Sequence, residues 1–460
     1  MSQLTPEKLA EVAALLEKTS PQMAARLVTM FERVKVKGNQ AIPTEALLTA
    51  VRESGLGLPA RLERVPGFDR LFFEPFEHLF EAPDAEGGPL PGYLPRADLK
   101  QVWEIVTDEL APDLFARFEP VVKAAVLRGA MDHARNLVAE FRDRLVSQLD
   151  QPGELARWGK ALAVCPEGAF SRRLPALLLA EHLARPDIAI TRTQPRDLPD
   201  TVVAALSETL RIIEARSADA ALELVLLVMG HLHKPWQALR ILAGASKGVS
   251  DRKLALTEFQ TIGDRLLAMA AREKALFDIA AKGGPFGSAA LVRAVERFGD
   301  LVNGMLREQV LDRDGPWRKA LQSLQTAAAS RLESVCQRAV SMAEQGLPVD
   351  RIRLKGAGLV DRPRHKAPLR MERLDALPAH LSFLRDVRLF ASAAGFAAAR
   401  DQAARAVQLH LDIVRDGLIA VRSDPDRGPH HAQWVQAVSG YIEALEGEDS
   451  ARLFERRAAA

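Results

Sequence analysis

The sequence predicts an all-α protein of several domains, an elongated antiparallel helical bundle with flanking helical modules. Ala, Leu, Arg and Glu, which favour helices, dominate the composition, and only two tyrosines are present. Runs of Val, Ile and Thr with a period of two, typical of strands, are scarce. Apolar residues instead recur at steps of three and four, the spacing of one helix face.

Length and composition allow more than one hydrophobic core. The chain has 460 residues, of which 48% are hydrophobic, and a chain of this length usually forms about two to four domains. We predict five segments: an N-terminal small helical domain (1–80), a Pro/Gly-rich linker (81–95), a central helical array with long bundle helices (96–346), a basic flexible loop (347–373) and C-terminal helical hairpins (374–460).

Caps and breakers set the first boundaries. Thr5-Pro6 and Ser20-Pro21 each place a capping hydroxyl before a proline suited to the first helical turn. Pro83, Gly87 and their Pro and Gly neighbours then predict the linker. A second break is expected over Arg185–Pro199, which contains three prolines.

The long helices of the central array are predicted from their apolar spacing. Ser250–Gly283 is expected to form one helix of about 30 residues, on the order of 45 Å long. Steps of four and three predict seams that pack at about +20°, as in antiparallel bundles. The apolar seam residues of the earlier helix are Ala134, Val138, Phe141, Leu145 and Leu149, and those of the two later helices are Leu291, Val295, Phe298, Val302 and Met305, then Trp317, Leu321, Leu324 and Ala328.

A basic segment, residues 351–373, is the candidate binding site. It contains eight cationic residues and two acids, Asp361 and Glu372, so its net charge is +6. The Gly and Pro content predicts a mobile loop that could bind phosphate groups of anionic lipid or another polyanion, or an acidic partner; a solvated linker without a ligand is the alternative. The cations are Arg351, Arg353, Lys355, Arg362, Arg364, Lys366, Arg370 and Arg373.

The overall charge and the two cysteines limit which functions and which cellular compartment the sequence suits. Lys and Arg number 62 against 60 acids, a net charge of +2, which argues against a generally basic nucleic-acid binder. Cys165 and Cys336 lie in separate predicted helices and suit reduced thiols. No signal peptide or transmembrane helix is expected, because the most hydrophobic stretch, Ala218–Gly230, contains two acids. We therefore expect a cytoplasmic protein.

Short motifs with catalytic or metal-binding spacing are better explained as local structure. Gly244–Gly248 matches a nucleophile elbow, but the preceding residues are predicted helical rather than extended. Glu74, His78 and Glu81 would share a helix face, yet the rest of a metal site is missing. Neither a catalytic group, a cofactor nor a metal ligand is predicted.

Two segments carry a resemblance to a known group. Leu224–Leu242, with His233-Lys234-Pro235-Trp236-Gln237 within it, and Leu94–Pro112 resemble uncharacterised all-helical proteins of alphaproteobacteria. The resemblance covers about the middle half of the chain and implies a bacterial cytoplasmic protein without a defined activity. Trp236 is expected in the core rather than in a partner groove.

Three functions stay open at this level. The first is a non-enzymatic scaffold or adaptor for protein–protein interaction, since long helical seams suit holding partners. The second is a peripheral binder of anionic membranes or polyanions through residues 351–373. The third is an all-α enzyme or a carrier of an apolar ligand between helices. Seams can close within one chain or between two copies, so homo-oligomerisation is also open.

Overall fold

The computed structural model confirms the all-α class, and the elongated multi-domain arrangement stays a prediction. It describes residues 30, 31, 34, 66–80, 90–165, 169–191, 197–246, 249–308, 310–354, 358–369, 374–424 and 427–459, except for the side chains of residues 169 and 353–360. Helix dominates these residues. Within them, no helix combines the length and the apolar character that crossing a membrane requires.

Contacts divide the chain into two units. Unit 1 comprises Met1–Ala85, Tyr93–Thr193 and Glu208–His231, and unit 2 comprises Glu86–Gly92, Gln194–Ser207 and Leu232–Ala460. Both units therefore take residues from the predicted central array, 96–346, and the predicted domain boundaries themselves stay a prediction. The small N-terminal domain (1–80) falls outside the described residues except for 30, 31, 34 and 66–80, and so does the linker (81–95) except for 90–95.

Unit 1 is built from α-helices joined by short 3₁₀ and π segments. The 3₁₀ segments are Glu74–Leu79 and Arg96–Asp98, and the π segment is Ile105–Leu110. Helix α7 has residues in both units. The α-helices are α1 (Phe68–Phe73), α2 (Leu99–Glu104), α3 (Pro112–Leu127), α4 (Met131–Leu149), α5 (Glu154–Leu162), α6 (Ala169–Thr191), α7 (Asp200–Glu214) and α8 (Ala218–His231).

The core of unit 1 lies where α4 and α6 meet their neighbours. On α4 the predicted seam is confirmed as far as Leu145, because Ala134, Val138, Phe141 and Leu145 are buried, whereas Leu149 is only partly buried. The Phe141 ring contacts those of Phe68 and Phe72 at 5.1 and 6.0 Å between centroids, edge to face. Such geometry is favourable because the positive ring edge meets the negative ring face. The aromatic contacts join α4 to α1.

Helix α6 corrects one predicted break. The sequence predicts a proline-rich break from Arg185, but α6 runs through Pro186 to Thr191. The Thr191 hydroxyl donates to the Ile188 carbonyl over 2.8 Å and so closes the last turn. A proline removes one donor and strains its helix, yet the buried apolar residues of α6 pack well enough to keep the helix continuous.

Among the described residues, unit 2 contains the longest helix and the one pair of strands. A 3₁₀ turn at Pro235–Gln237 precedes α9, and another at Val387–Leu389 follows α14. The first part of α7 belongs to unit 2. The other α-helices of unit 2 are α9 (Ala238–Ala245), α10 (Asp251–Leu254), α11 (Gln260–Ala281), α12 (Ser288–Arg307), α13 (Pro316–Gly346), α14 (Leu377–Asp386), α15 (Ala397–Ala420), α16 (His431–Glu446) and α17 (Glu448–Ala459).

The seam of α12 is confirmed, and the helix before it is shorter than predicted. Leu291, Val295, Phe298, Val302 and Met305 are all buried. The single helix expected over Ser250–Gly283 is wrong, because α10 ends at Leu254 and α11 begins at Gln260. The Thr257 hydroxyl accepts from the Phe259 amide over 3.3 Å and stabilises a turn between them.

Asp251 ties the short helix α10 to the beginning of α13. Its side chain is fully buried and lies at the beginning of α13, the longest helix. One carboxylate oxygen accepts from the amide of Asp312 over 3.0 Å, and the other accepts from the amides of Trp317 and Arg318 over 3.2 and 3.4 Å. The first amides of a helix have no partner within it, so a carboxylate supplied by α10 stabilises α13.

Trp236 packs against Gly304 of α12 but is only partly buried, whereas the sequence predicts a core position. A Cβ atom on Gly304 would lie 2.1 Å from the Trp236 ring, so only glycine fits at that position of α12. The predicted C-terminal helices are also present, as α14 to α17. Helix α16 packs on α14 and α17, and α15 packs on α13.

Candidate functional site

The basic segment forms a β-hairpin at its start, where the sequence predicts a flexible loop. Strands β1 (Val349–Leu354) and β2 (Gly358–Pro363) pair antiparallel, with Arg351 opposite Asp361 and Asp350 opposite Arg362. Along β1, charged and aliphatic residues alternate from Arg351 to Leu354. Alternation of this kind is itself typical of a strand with one face in water.

Aspartates neutralise part of the predicted cationic surface. Arg351 Nε donates to Asp361 Oδ1 over 3.0 Å, and an Arg364 nitrogen lies 2.6 Å from Asp350 Oδ1. Arg362 is exposed and lies across from Asp350 in the register. The structure therefore brings three arginines and two aspartates together at the base of the hairpin. The surrounding excess of charge is smaller than the sequence count indicates.

The remaining predicted site residues are only partly described. Arg353 lies in β1, but its side chain is outside the described part, as are Lys355, Arg370 and Arg373 entirely. Lys366 is exposed. The chain around it is docked: Trp434 of α16 donates to the Ala367 carbonyl over 2.9 Å, and Pro363 packs on Gly417 of α15.

A second candidate, which the sequence does not reveal, is a cleft in unit 1. It has a volume of about 360 Å³ and lies among α4, α5, α6 and the turn before α8. Val146, Leu149, Leu155 and Leu179 contribute apolar surface. The polar residues of the rim are Asp150, Ser171, Arg172, Arg216, Ser217 and Asp219.

Helices α4 and α6 are also joined by a buried network of charges. Glu181, 2% exposed at its side chain, accepts from Arg142 at 3.3 Å and from Arg185 at 2.8 Å. Arg142 also donates to the carbonyls of Leu71 and Phe72, both over 3.3 Å. A buried carboxylate requires such partners because burial alone makes its charged form costly.

The network extends to the surface through Asp143. Arg185 donates to the two oxygens of Asp143 over 2.6 and 3.0 Å, and His182 Nδ1 lies 2.7 Å from one of them. Burial raises the pKa of Asp143, but hydrogen bonds and charges of Arg185 and His182 outweigh it, so this pKa lies below its usual value. The pKa of Glu181 is lowered likewise, because Arg185 and Arg142 outweigh the effect of burial.

A second buried ion pair holds α6 against α8. Arg173 Nε and Nη2 donate to the two oxygens of Glu223 over 2.6 and 2.9 Å, and Nη1 donates to the Tyr93 carbonyl over 3.3 Å. This two-pronged geometry is among the stronger ion-pair arrangements. It explains how α8, the most apolar stretch of the sequence, accommodates a glutamate on a buried face.

The short motifs weighed in the sequence have structural explanations. Gly244 lies within α9, where a Cβ atom would be 2.4 Å from the Ser207 hydroxyl, so it is a packing glycine rather than a nucleophile elbow. Glu74 and His78 lie on a 3₁₀ segment, where a spacing of four does not share a face. Glu74 binds Arg135 over 3.1 Å, and Glu81 is outside the described part.

Chemical groups for metal binding do not converge within the described part of the chain. No group of three His, Cys, Asp or Glu residues is placed there to hold a metal ion. The His78 and His231 rings are 4.1 Å apart between centroids and tilted by 50°, a contact of two rings. Both cysteines are buried thiols, and burial raises the pKa of Cys336 to about 12.

No protein-family model matches the chain, and neither a curated protein nor a solved structure does.

Proposed function

We propose that the protein is a non-enzymatic helical scaffold or adaptor that binds other proteins, and that the outer face of α11 is one contact surface. This outer face includes Ala268, Ala271, Ala275 and Ile279, which fall opposite most of the buried residues on the helix wheel, and Leu276 lies at its border. Leu276 and Ile279 are 37% and 46% exposed. The proposal rests on one observation: α11, a helix at the surface, has apolar residues on its outer face as well as on its buried face.

The neighbouring helix gives the contrast that supports this proposal. Helix α12 has an exposed face with Arg293, Arg297 and Asp300, as expected for a helix that faces water. The outer face of α11 also carries charged residues, Asp264 and Arg272, but it combines them with small alanines and exposed aliphatic side chains. Small residues let a second helix approach closely, and aliphatic ones gain from removal from water.

Site-specific crosslinking tests the adaptor role. A photoreactive residue replaces Ala275 in the full chain, expressed in its native cell, and a matched one replaces Asp300 on the charged face of α12. We expect crosslinks to a partner protein, or to a second copy, from position 275 and not from position 300. Equal crosslinking at both positions, or none at 275, would contradict the proposal.

A double substitution separates binding from folding. Ala275→Glu with Ile279→Glu places charges on the outer face of α11, where both positions are already exposed to water. We expect helix content by circular dichroism to be unchanged and the crosslinked partner to be lost. Retention of the partner would show that another surface binds it.

The second candidate function is binding of anionic membranes or polyanions through residues 351–373. The observation that favours it is that Arg362, Arg364 and Lys366 are exposed next to one another along the chain, after β2 has been fixed against α15. Neutralising Arg362, Arg364, Lys366 and Arg370 together with Gln should abolish binding to anionic vesicles at low salt. Unchanged vesicle binding would exclude this function.

We also propose a bacterial, cytoplasmic setting, which rests on the resemblance and on the reduced, buried thiols. Cell fractionation with antibodies against the chain tests it. The remaining alternative is an all-α enzyme or a carrier of an apolar ligand. The cleft in unit 1 supports it by offering a place where a ligand could bind.

A further inference from the structure

The cleft of unit 1 has the size and composition of a ligand site. Its volume of about 360 Å³ falls at the lower end of the range for small-molecule pockets, about 300–1,000 Å³. One wall is α6, which presents Pro175, Ala176 and Leu179 in helical spacing. Helices α4 and α5 form the facing walls, so three helices fix its shape.

The apolar part of the cleft leaves hydrophobic surface in water. Leu155, on α5, is 62% exposed although it lines the cleft. Leu149 and Leu179 are partly exposed beside it. Gly159 lies one turn further along α5, and a Cβ atom there would meet nothing within 4 Å. An apolar chain laid along this surface would fill open space without displacing the protein.

The polar part lies at one side, where α8 begins. Arg172 approaches Asp219 only to 3.7 Å and its side chain is 80% exposed, so its guanidinium can turn to another acceptor. Arg216 is held by Asp150 in a close ion pair. The Ser217 hydroxyl accepts from the Ala220 amide over 3.2 Å at the start of α8, where the helix dipole adds positive potential.

The charged residues at the rim indicate which head group the ligand carries. An exposed arginine and a helix start favour an anion, whereas Asp150 and Asp219 on the same rim repel a second negative charge. A carboxylate carries one negative charge and forms paired hydrogen bonds with a guanidinium. A phosphate monoester carries nearly two charges at neutral pH and suits the rim less well.

We propose that the cleft binds a fatty-acid-like amphiphile, with its carboxylate at Arg172 and its chain along Leu149, Leu155 and Leu179. This site is independent of the proposed adaptor role, since α11 takes no part in it. The ligand class follows from one apolar wall, one exposed arginine and a rim that tolerates a single negative charge.

Calorimetric titration of the full chain with dodecanoate, below its micelle concentration, tests the proposal. We expect one bound molecule per chain and at least tenfold weaker binding for Arg172→Gln. Dodecyltrimethylammonium should not bind, and dodecyl phosphate should bind more weakly than dodecanoate. No saturable binding of dodecanoate, or equal binding of the ammonium compound, would overturn the proposal, as would tighter binding of the phosphate.

Filling the cleft provides the decisive variant. Gly159→Leu should abolish dodecanoate binding, because the side chain enters the space that the ligand needs. Gly440→Leu is the matched control: Gly440 is also a helical glycine where an added Cβ atom would have nothing within 4 Å, and it lies on α16 of unit 2. We expect its binding to equal that of the unmodified chain.

A second variant keeps the test valid if Gly159→Leu fails to fold. Leu155→Gln changes a side chain that is already mostly in water, so folding should be preserved while the apolar wall loses one contact. We expect about tenfold weaker dodecanoate binding. Wild-type affinity in this variant and in a folded Gly159→Leu variant would place the ligand elsewhere and refute the site.

Discussion

In unit 1 the buried carboxylate of Glu181 faces two guanidinium groups, whereas in unit 2 the buried carboxylate of Asp251 faces backbone amides. Glu181 is 2% exposed and Asp251 is 0% exposed, so both have lost nearly all contact with water. The first arrangement balances full charges across α4 and α6. The second uses the start of α13, whose amides are neutral but oriented. Removal of the acid therefore takes one counter-charge away from buried guanidinium groups in unit 1, whereas in unit 2 it takes an acceptor away from neutral amides.

Thiol reactivity is the largest expected effect, and it provides one probe for each unit. Cys165 lies in unit 1 and Cys336 in unit 2, and both are buried. Burial raises the pKa of Cys336 to about 12, so its thiolate fraction at pH 8 is on the order of a thousandfold below that of an ordinary thiol. We expect iodoacetamide to label Cys336 at least that much more slowly in the native chain than in urea. Peptide mass spectrometry measures this, and rapid native labelling of Cys336 would contradict its burial.

Removing the charge of Glu181 should cost the most stability. Glu181→Gln leaves Arg142 buried without its counter-charge, which typically costs about 3 to 5 kcal/mol. Urea unfolding followed by circular dichroism measures the free energy, and faster labelling of Cys165 reports opening of unit 1. Glu140→Gln is the control, because Glu140 pairs with Arg144 on the exposed face of α4 and should change stability by less than about 0.5 kcal/mol. Equal effects of both substitutions would mean that the buried network does not stabilise unit 1.

Removing the charge of Asp251 should cost less. Asp251→Asn keeps the shape but replaces one acceptor oxygen by an NH₂ group facing the amides of α13, with an expected loss of about 2 kcal/mol. The same unfolding measurement applies, with the labelling rate of Cys336 reporting on unit 2. Asp314→Asn serves as control, since Asp314 contacts Arg252 at 3.7 Å and is largely exposed. A loss as large as that of Glu181→Gln would show that the amides of α13 behave like a full counter-charge.

The pH dependence of unit 1 should show the smallest effect. The pKa values of Glu181 and Asp143 are lowered in the folded chain, so their contribution to stability is present above the ordinary carboxyl pKa, near 4, and is lost as pH falls through the lower folded values. We expect the unfolding free energy to fall below about pH 4 in the unmodified chain and to fall less steeply in Glu181→Gln with Asp143→Asn. Parallel pH profiles for the two proteins would contradict the assigned direction of the shifts.

The all-α class and the apolar seams could be predicted because they depend on local spacing. The steps of four and three through Leu291 and Met305 identify a buried face without knowledge of what covers it. The capping of α13 by Asp251 could not be predicted, because the two residues in contact are more than sixty positions apart in the chain. Continuation of α6 through Pro186 likewise depends on tertiary packing, which outweighs local propensity.

Sites were harder to predict than helices. The cleft is lined by residues from four separate segments, and in each segment they follow the ordinary pattern of a helix that packs on its neighbours. The charge count identifies the basic segment, but it omits Asp350, which lies just before that segment and pairs with Arg364. The alternation of Arg351 and Arg353 with Ile352 and Leu354 was the available signal for a strand.

The hairpin of β1 and β2 also bears on how the chain behaves at high concentration. A strand edge can pair with the edge of another molecule, which is a common route to aggregation. Arginines such as Arg351 and Arg362 along this ribbon would bring like charges together if two hairpins met edge to edge. The basic residues therefore protect the only strands of the described chain from self-pairing, a benefit that needs no ligand.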